Sequence, residues 1–138
     1  MNLIDGNRIA SEVLGELRQQ VASFKDGKPH VVFVRVGDDP ASISYVKKKE
    51  KTAHSIGIDA SLITFPTSIT QNQLLGEIDR LNSDSSVHGI LVQAPLPPHI
   101  EEVHIFNQVS PSKDVDGFHS INLGKLCQEQ PDAFRSCT

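Results

Sequence analysis

The sequence predicts an α/β protein of three layers, a mostly parallel sheet with helices on both faces. Apolar strand-like runs alternate with helical stretches of ten residues or more, which implies crossover connections and parallel pairing. The run His30-Val31-Val32-Phe33-Val34-Arg35-Val36 is β-branched with no polar alternation, as in a strand covered on both faces. Cap and turn residues stand at the junctions between these runs.

Ile9 to Phe24 carries Ile9, Val13, Leu17 and Val21 in steps of four, a helical stripe that Gly27-Lys28-Pro29 ends. The strand His30–Val36 follows and stops at Gly37. Asp39-Pro40 then opens a helix over 41–56, with a cap residue before a proline at the first helical position. Gly57 closes it, Ile58 to Phe65 reads as a second strand, and Thr70 to Leu81 as a third helix. Val87 to Val92 is a third strand and Glu101 to Gln108 a short fourth helix. The segment from Gln128 to Thr138, with Pro131, lacks periodicity and reads as a linker, so residues 1–127 are expected to form one domain.

A chain of 138 residues suits a single domain with a modest core. Its 13 Lys+Arg against 17 Asp+Glu leave no basic footprint for nucleic acid. No apolar stretch approaches the ~20 residues of a membrane span, and Met1 leads into Asn2-Leu3-Ile4-Asp5 rather than a signal sequence. A cytoplasmic protein is expected. Cys127 and Cys137 lie outside any C-x-x-C spacing and read as free thiols. The six histidines form no H-x-x-x-H pair, so no metal is expected.

Ligands of parallel sheets bind beyond the carboxyl ends of the strands. There the sequence places Gly37-Asp38-Asp39, Pro66-Thr67 and Gln93-Ala94-Pro95. In the helix over 41–56 four lysines crowd together, ordinarily the mark of a solvated basic face. Turning the sequence by about 100° per residue puts Ile43, Val46, Ala53 and Gly57 on one stripe, with Glu50 among them for no evident reason. Lys48 points away from that stripe, whereas Tyr45 and Lys49 flank it together, four residues apart. Lys49 is therefore the candidate proton carrier among Lys47, Lys48, Lys49 and Lys51. Gln93 follows Ile90-Leu91-Val92, and Pro95 and Pro97 stiffen what comes after. Gln93 is either the polar end of a strand or a presented amide. Likewise Asp114-Val115-Asp116-Gly117 is either turn chemistry or a presented carboxylate.

In combination these segments resemble the bifunctional methylenetetrahydrofolate dehydrogenase/cyclohydrolase family, in its catalytic half. The family pattern runs V-G-x-D-P-A-S-x-x-Y-V-x-x-K-x-K, then H-G-I-L-V-Q-L-P-L-P, then P-x-K-D-V-D-G-F-x-x-x-N-x-G-x-L, then P-C-T-P. Val36 to Lys51, His88 to Pro97 and Pro111 to Leu126 match it, with Ala94 where leucine is usual and Ser136 where proline is usual. The resemblance implies an aminoacid dehydrogenase-like N-terminal domain. It implies oxidation of 5,10-methylenetetrahydrofolate by NADP or NAD and hydrolysis of the methenyl product to 10-formyltetrahydrofolate. By the same resemblance Lys49 is the general acid/base of the hydrolysis, Gln93 positions it, Tyr45 stacks on the pterin and Asp116 binds the ring nitrogens. Val92, Pro95 and Leu96 complete the substrate pocket. It further implies tetrahydrofolate derivatives as partners and a homodimer for the full-length enzyme.

The chain carries no glycine-rich dinucleotide fingerprint. Family members carry a Rossmann-type cofactor domain after the P-C-T-P hinge, so residues 128–138 are expected to begin that hinge. The expectation is a fragment of the bifunctional enzyme whose NADP or NAD is bound outside these residues. A folate-binding module without turnover stays open beside it. An unrelated nucleotide-binding or signalling domain lacks the phosphate loop it would need.

Overall fold

The most apolar segment of the chain becomes the centre of the sheet. In a computed structural model describing residues 4–25 and 27–133, three parallel strands run in the order β2 (Asp59–Phe65), β1 (His30–Val36), β3 (Gly89–Val92). All of β1 from Val32 to Val36 is buried, as its unbroken apolar run requires, whereas β2 forms an edge and alternates between half-buried and exposed. His30 to Val36 lie opposite Asp59 to Phe65, and Val31 to Val34 opposite Gly89 to Val92. One parallel bridge, Ile90 to Asp114, carries the sheet a step past β3.

The period of two sorts the side chains into two cores. Val32, Val34, Val36, Ile90 and Val92 face α3 (Gln71–Ser83) and α4 (Glu102–Gln108), meeting Leu74, Ile78, Leu81 and Ile105. Leu74, Ile78 and Ile105 are fully enclosed, each contributing about 1.5–3 kcal/mol by burial. On the opposite face Phe33 and Leu91 pack against Val46 of α2 (Pro40–Ser55). That helix starts as the sequence requires, since Asp39 accepts a hydrogen bond from the Ser42 N–H at 2.7 Å and Pro40 occupies the first turn. Thr70 and Gln73 form a capping box at the head of α3.

Two elements differ from the sequence reading. The first helix, α1 (Gly6–Ala22), is capped by Asp5 and begins three residues before Ile9, and none of its residues is fully buried. Most of its stripe is uncovered: Ile9, Val13 and Leu17 are exposed, and only Val21 is half-buried, beside Gly57. It docks through its C-terminal end, where Arg18 Nε donates to the Ser55 carbonyl at 3.1 Å. A fifth helix, α5 (Ser120–Cys127), was not anticipated. Cys127 is an exposed free thiol. Ser136 and Cys137, to which the hinge expectation was tied, lie outside the described residues.

Candidate active site

Helix α2 runs back from the carboxyl edge of the sheet, and helical side chains lean toward their own N-terminus. The long Lys49 side chain therefore reaches the end of β3. Its Nζ donates to Gln93 Oε1 at 3.2 Å, and Gln93 Nε2 donates to the Ala94 carbonyl at 2.6 Å, which orients the amide with its oxygen toward the lysine. Lys49 and Gln93 are half-buried, while Lys47, Lys48 and Lys51 are exposed. Tyr45 stands one turn before Lys49 and is 62% exposed, an open aromatic face beside the amine. Glu50 is half-buried, in line with its place on the inner stripe, and nothing in the structure explains it.

Asp116 reaches the same place on a loop that is fixed at both ends. Upstream, Lys113 Nζ donates to three carbonyls at the C-terminal end of α3, those of Leu81 at 3.0 Å, Asn82 at 2.8 Å and Asp84 at 2.7 Å. It serves as a helix C-cap, a favourable position for a cation. Asp114 then holds the loop from inside. Its Oδ1 accepts from the Gly117 N–H at 3.0 Å, and its Oδ2 from the His119 N–H and from Asn122 Nδ2, each at 2.9 Å. Asn122, buried in α5, also donates to the Pro111 carbonyl at 3.0 Å. Gly117 sits at φ +72°, a region that favours glycine. Gly89 lets the loop close down, because a Cβ there would lie 2.5 Å from Val115 Cγ1.

With Asp114 spent on the loop, the Asp116 carboxylate is left without a hydrogen-bond donor among the described residues. Burial pushes its proton affinity above the ordinary carboxylate range; the Lys49 ammonium opposes that push and the Asp114 charge adds to it. A cavity of about 600 Å³ opens between α1, α2 and the sheet, lined by Leu17, Phe33, Leu91 and Val115 with Lys49 and Asp116.

Lys49, Gln93, Tyr45 and Asp116 thus share one region. Val92 and Leu96 do not present side chains there, because both are buried in the α3/α4 core, and the Leu96 N–H is held by Glu102 Oε1 at 2.7 Å. Pro95 is exposed at the rim. Sequence reasoning missed the groups that build the loop: Lys113, Asp114, Asn122 and Gly89. Only their place inside the matched motifs marked them.

The turn between β1 and α2 is where such a sheet would hold a pyrophosphate, yet its residues do not fit one. Asp39 already fills the helix N-terminus, Asp38 adds a second negative charge, and Pro40 has no N–H to offer. A Cβ at Gly37 would meet Thr67 Cγ2 at 2.8 Å, so that glycine serves packing. The arrangement suits a flat, uncharged or cationic heterocycle instead, gripped by an aromatic face, a carboxylate acceptor and an amine able to move a proton.

The family described as tetrahydrofolate dehydrogenase/cyclohydrolase, catalytic domain, matches residues 4–116. The bifunctional protein FolD of Bacillus cytotoxicus is 48% identical over 138 residues, 99% of this chain and 48% of that protein. The chain spans about half the length of the curated relatives it matches. Among solved structures, the bifunctional FolD methylenetetrahydrofolate dehydrogenase/cyclohydrolase of Campylobacter jejuni superposes with a TM-score of 0.94 at 43% identity, covering 99% of this chain and 49% of that one. The Trypanosoma brucei methylenetetrahydrofolate dehydrogenase-cyclohydrolase, solved with NADP cofactor and an inhibitor, gives 0.91 at 33% identity, covering 99% and 48%.

Proposed function

The chain belongs to the tetrahydrofolate dehydrogenase/cyclohydrolase family, and from that premise we propose that it is the folate-binding, catalytic half of a bifunctional enzyme. The enzyme oxidises 5,10-methylenetetrahydrofolate to the methenyl cation with NADP or NAD, then hydrolyses that cation to 10-formyltetrahydrofolate. The observation that carries this reading is the Lys49–Gln93 hydrogen bond beside an Asp116 carboxylate that has no donor among the described residues. Nicotinamide binding is assigned to the part of the relatives that this chain does not span, since the β1–α2 turn does not fit a dinucleotide.

In this reading Asp116 accepts from the 2-amino group and N3–H of the pterin, as carboxylates pair with guanidinium, and Tyr45 covers the ring face. Pro95 lines the rim, while Val92 and Leu96 anchor the segment that presents Gln93. The methenyl cation beside Lys49 favours the neutral amine. Water adds its oxygen to the amidinium carbon and gives one proton to Lys49 Nζ. As the carbon–N5 bond breaks, Lys49 returns that proton to N5, and the second water proton leaves to solvent as the formyl carbonyl forms. Gln93 Oε1 holds Nζ in place through both transfers.

A second reading is a folate-binding module without turnover, since the open Tyr45 face and the Asp116 carboxylate account for binding whether or not Lys49 moves a proton. Loss of methenyltetrahydrofolate absorbance separates the two. Hydrolysis above the solvent rate that disappears in Lys49→Met supports the catalytic half; binding with no acceleration supports the module.

A further inference from the structure

The segment that follows Gln93 has almost no backbone donors with which to hold itself. In Gln93-Ala94-Pro95-Leu96-Pro97-Pro98 the prolines offer no N–H, so between Ala94 and His99 only Leu96 can donate from its backbone. Glu102 takes that donor, its Oε1 accepting from the Leu96 N–H at 2.7 Å. Glu102 is half-buried in the first turn of α4, and the chemistry above leaves it unused. A carboxylate in a first helical turn is ordinarily explained by the helix dipole. Here it also has a directed partner.

The bond acts on the site through the proline ring. The Leu96 N–H and the Ala94 carbonyl belong to two peptide planes that meet at Pro95, each plane rigid in itself, and the ring locks φ between them. One torsion, ψ of Pro95, is left. With the Leu96 side chain enclosed in the α3/α4 core and its N–H held by Glu102, the direction of the Ala94 carbonyl is set. That carbonyl accepts from Gln93 Nε2 at 2.6 Å, and the other end of the same amide, Oε1, accepts from Lys49 Nζ at 3.2 Å. If the carbonyl turned away, the amide would lose the partner that distinguishes its nitrogen from its oxygen. A flipped amide would then set its N–H donors against the lysine.

We propose that Glu102 is a positioning residue for Lys49, holding the Gln93 amide oxygen toward the amine by way of the Leu96 N–H and the Ala94 carbonyl; its part in hydrolysis rests on the catalytic reading above. This role needs an oxygen at the right reach, and the charge is secondary. The helix-dipole role needs a charge and no particular reach. Conservative substitutions therefore separate the two. Glu102→Gln keeps the reach and loses the charge, whereas Glu102→Asp keeps the charge and draws the oxygen back by one methylene.

The test is nuclear magnetic resonance of the whole chain, reading the Gln93 side-chain amide, identified by its loss in Gln93→Glu, in wild type, Glu102→Gln and Glu102→Asp. Thermal melts establish folding, and methenyltetrahydrofolate hydrolysis is followed on the same samples. Glu102→Gln is expected to leave the Gln93 amide signal near its wild-type position, and Glu102→Asp to shift it and to speed its exchange with solvent. In hydrolysis Glu102→Asp should lower kcat by about tenfold with KM little changed, because a misplacement of about 1 Å costs up to about 10²-fold while Tyr45 and Asp116 are untouched. A Gln93 amide disturbed no more in Glu102→Asp than in Glu102→Gln overturns the proposal, whatever the rates. If Glu102→Asp does not fold, Glu102→Ala, which removes the oxygen altogether, takes its place in that comparison. A Gln93 amide disturbed as expected, in a chain whose wild type does not accelerate hydrolysis, supports the positioning and overturns the catalytic reading instead.

Discussion

Two aspartates stand two residues apart, and the same substitution at each should act in opposite directions. Asp114 accepts three hydrogen bonds at 2.9–3.0 Å, from two backbone N–H groups and the buried Asn122 amide. In Asp114→Asn one oxygen remains, able to hold two of those donors, while the new amide N–H faces the third. One bond is lost outright and the others lose their charge. At roughly 1.5–3 kcal/mol for a hydrogen bond to a charged group, the net cost is about 2–3 kcal/mol. With about 3–4 °C per kcal/mol for a chain of this size, the melting temperature should fall by roughly 6–12 °C. Asp116 has no donor to lose among the described residues, and its carboxyl is pushed above the ordinary range chiefly by burial. A raised folded-state value means that the folded protein holds its proton more tightly than the unfolded chain. Stability from this group is then present in acid and lost as pH rises through the folded value. Asp116→Asn removes the charge that causes the loss and should leave the protein no less stable near neutrality, the direction opposite to Asp114→Asn. Urea melts at pH 7 measure both variants. Equal destabilisation would refute the division of labour, in which Asp114 builds the loop and Asp116 is left free for a ligand.

Three further outcomes follow. Lys113→Met removes one ammonium from three carbonyls and should cost about 2–4 kcal/mol in denaturant melts, whereas an exposed-lysine change such as Lys48→Met should cost under about 0.5 kcal/mol. In a family-length enzyme Lys49→Met should lower methenyl hydrolysis by about 10²-fold or more and Lys48→Met should leave it near wild type, as followed by absorbance; equal losses would exclude Lys49 as the proton carrier. Folate affinity should weaken as pH falls through the raised Asp116 value, starting above the usual carboxylate range, and Asp116→Asn should remove that dependence in titrations run from neutral to acidic pH.

The sheet was legible because its signals are local. The unbroken run His30–Val36 reads as the central strand, and Asp39-Pro40 opens α2 where it begins, within a residue. Helix α5 was not legible, since its burial inverts the usual code: Asn122 is enclosed while Ile121 and Leu123 are exposed. Periodicity searches look for apolar residues on the inside, and there the inside residue is an amide answering a carboxylate. The stripe of α1 misled in the other direction, with a pattern fit for burial of which only the Val21 end packs against the body of the protein, beside Gly57. In the site, the face shared by Tyr45 and Lys49 followed from helical spacing alone. That Asp114 and not Asp116 is consumed by the turn depends on contacts with α5, which no spacing reveals.

The central claim is that the open Tyr45 face and the unpaired Asp116 carboxylate form a pterin site beside Lys49. Calorimetric titration of the chain with tetrahydrofolate, repeated on Tyr45→Ala and Asp116→Ala, tests it most directly. Saturable binding at one site is predicted, weakened by roughly 1–3 kcal/mol in each variant, the scale of a lost stacking contact or an unpaired buried donor. Binding of equal affinity in wild type and both variants would contradict the account.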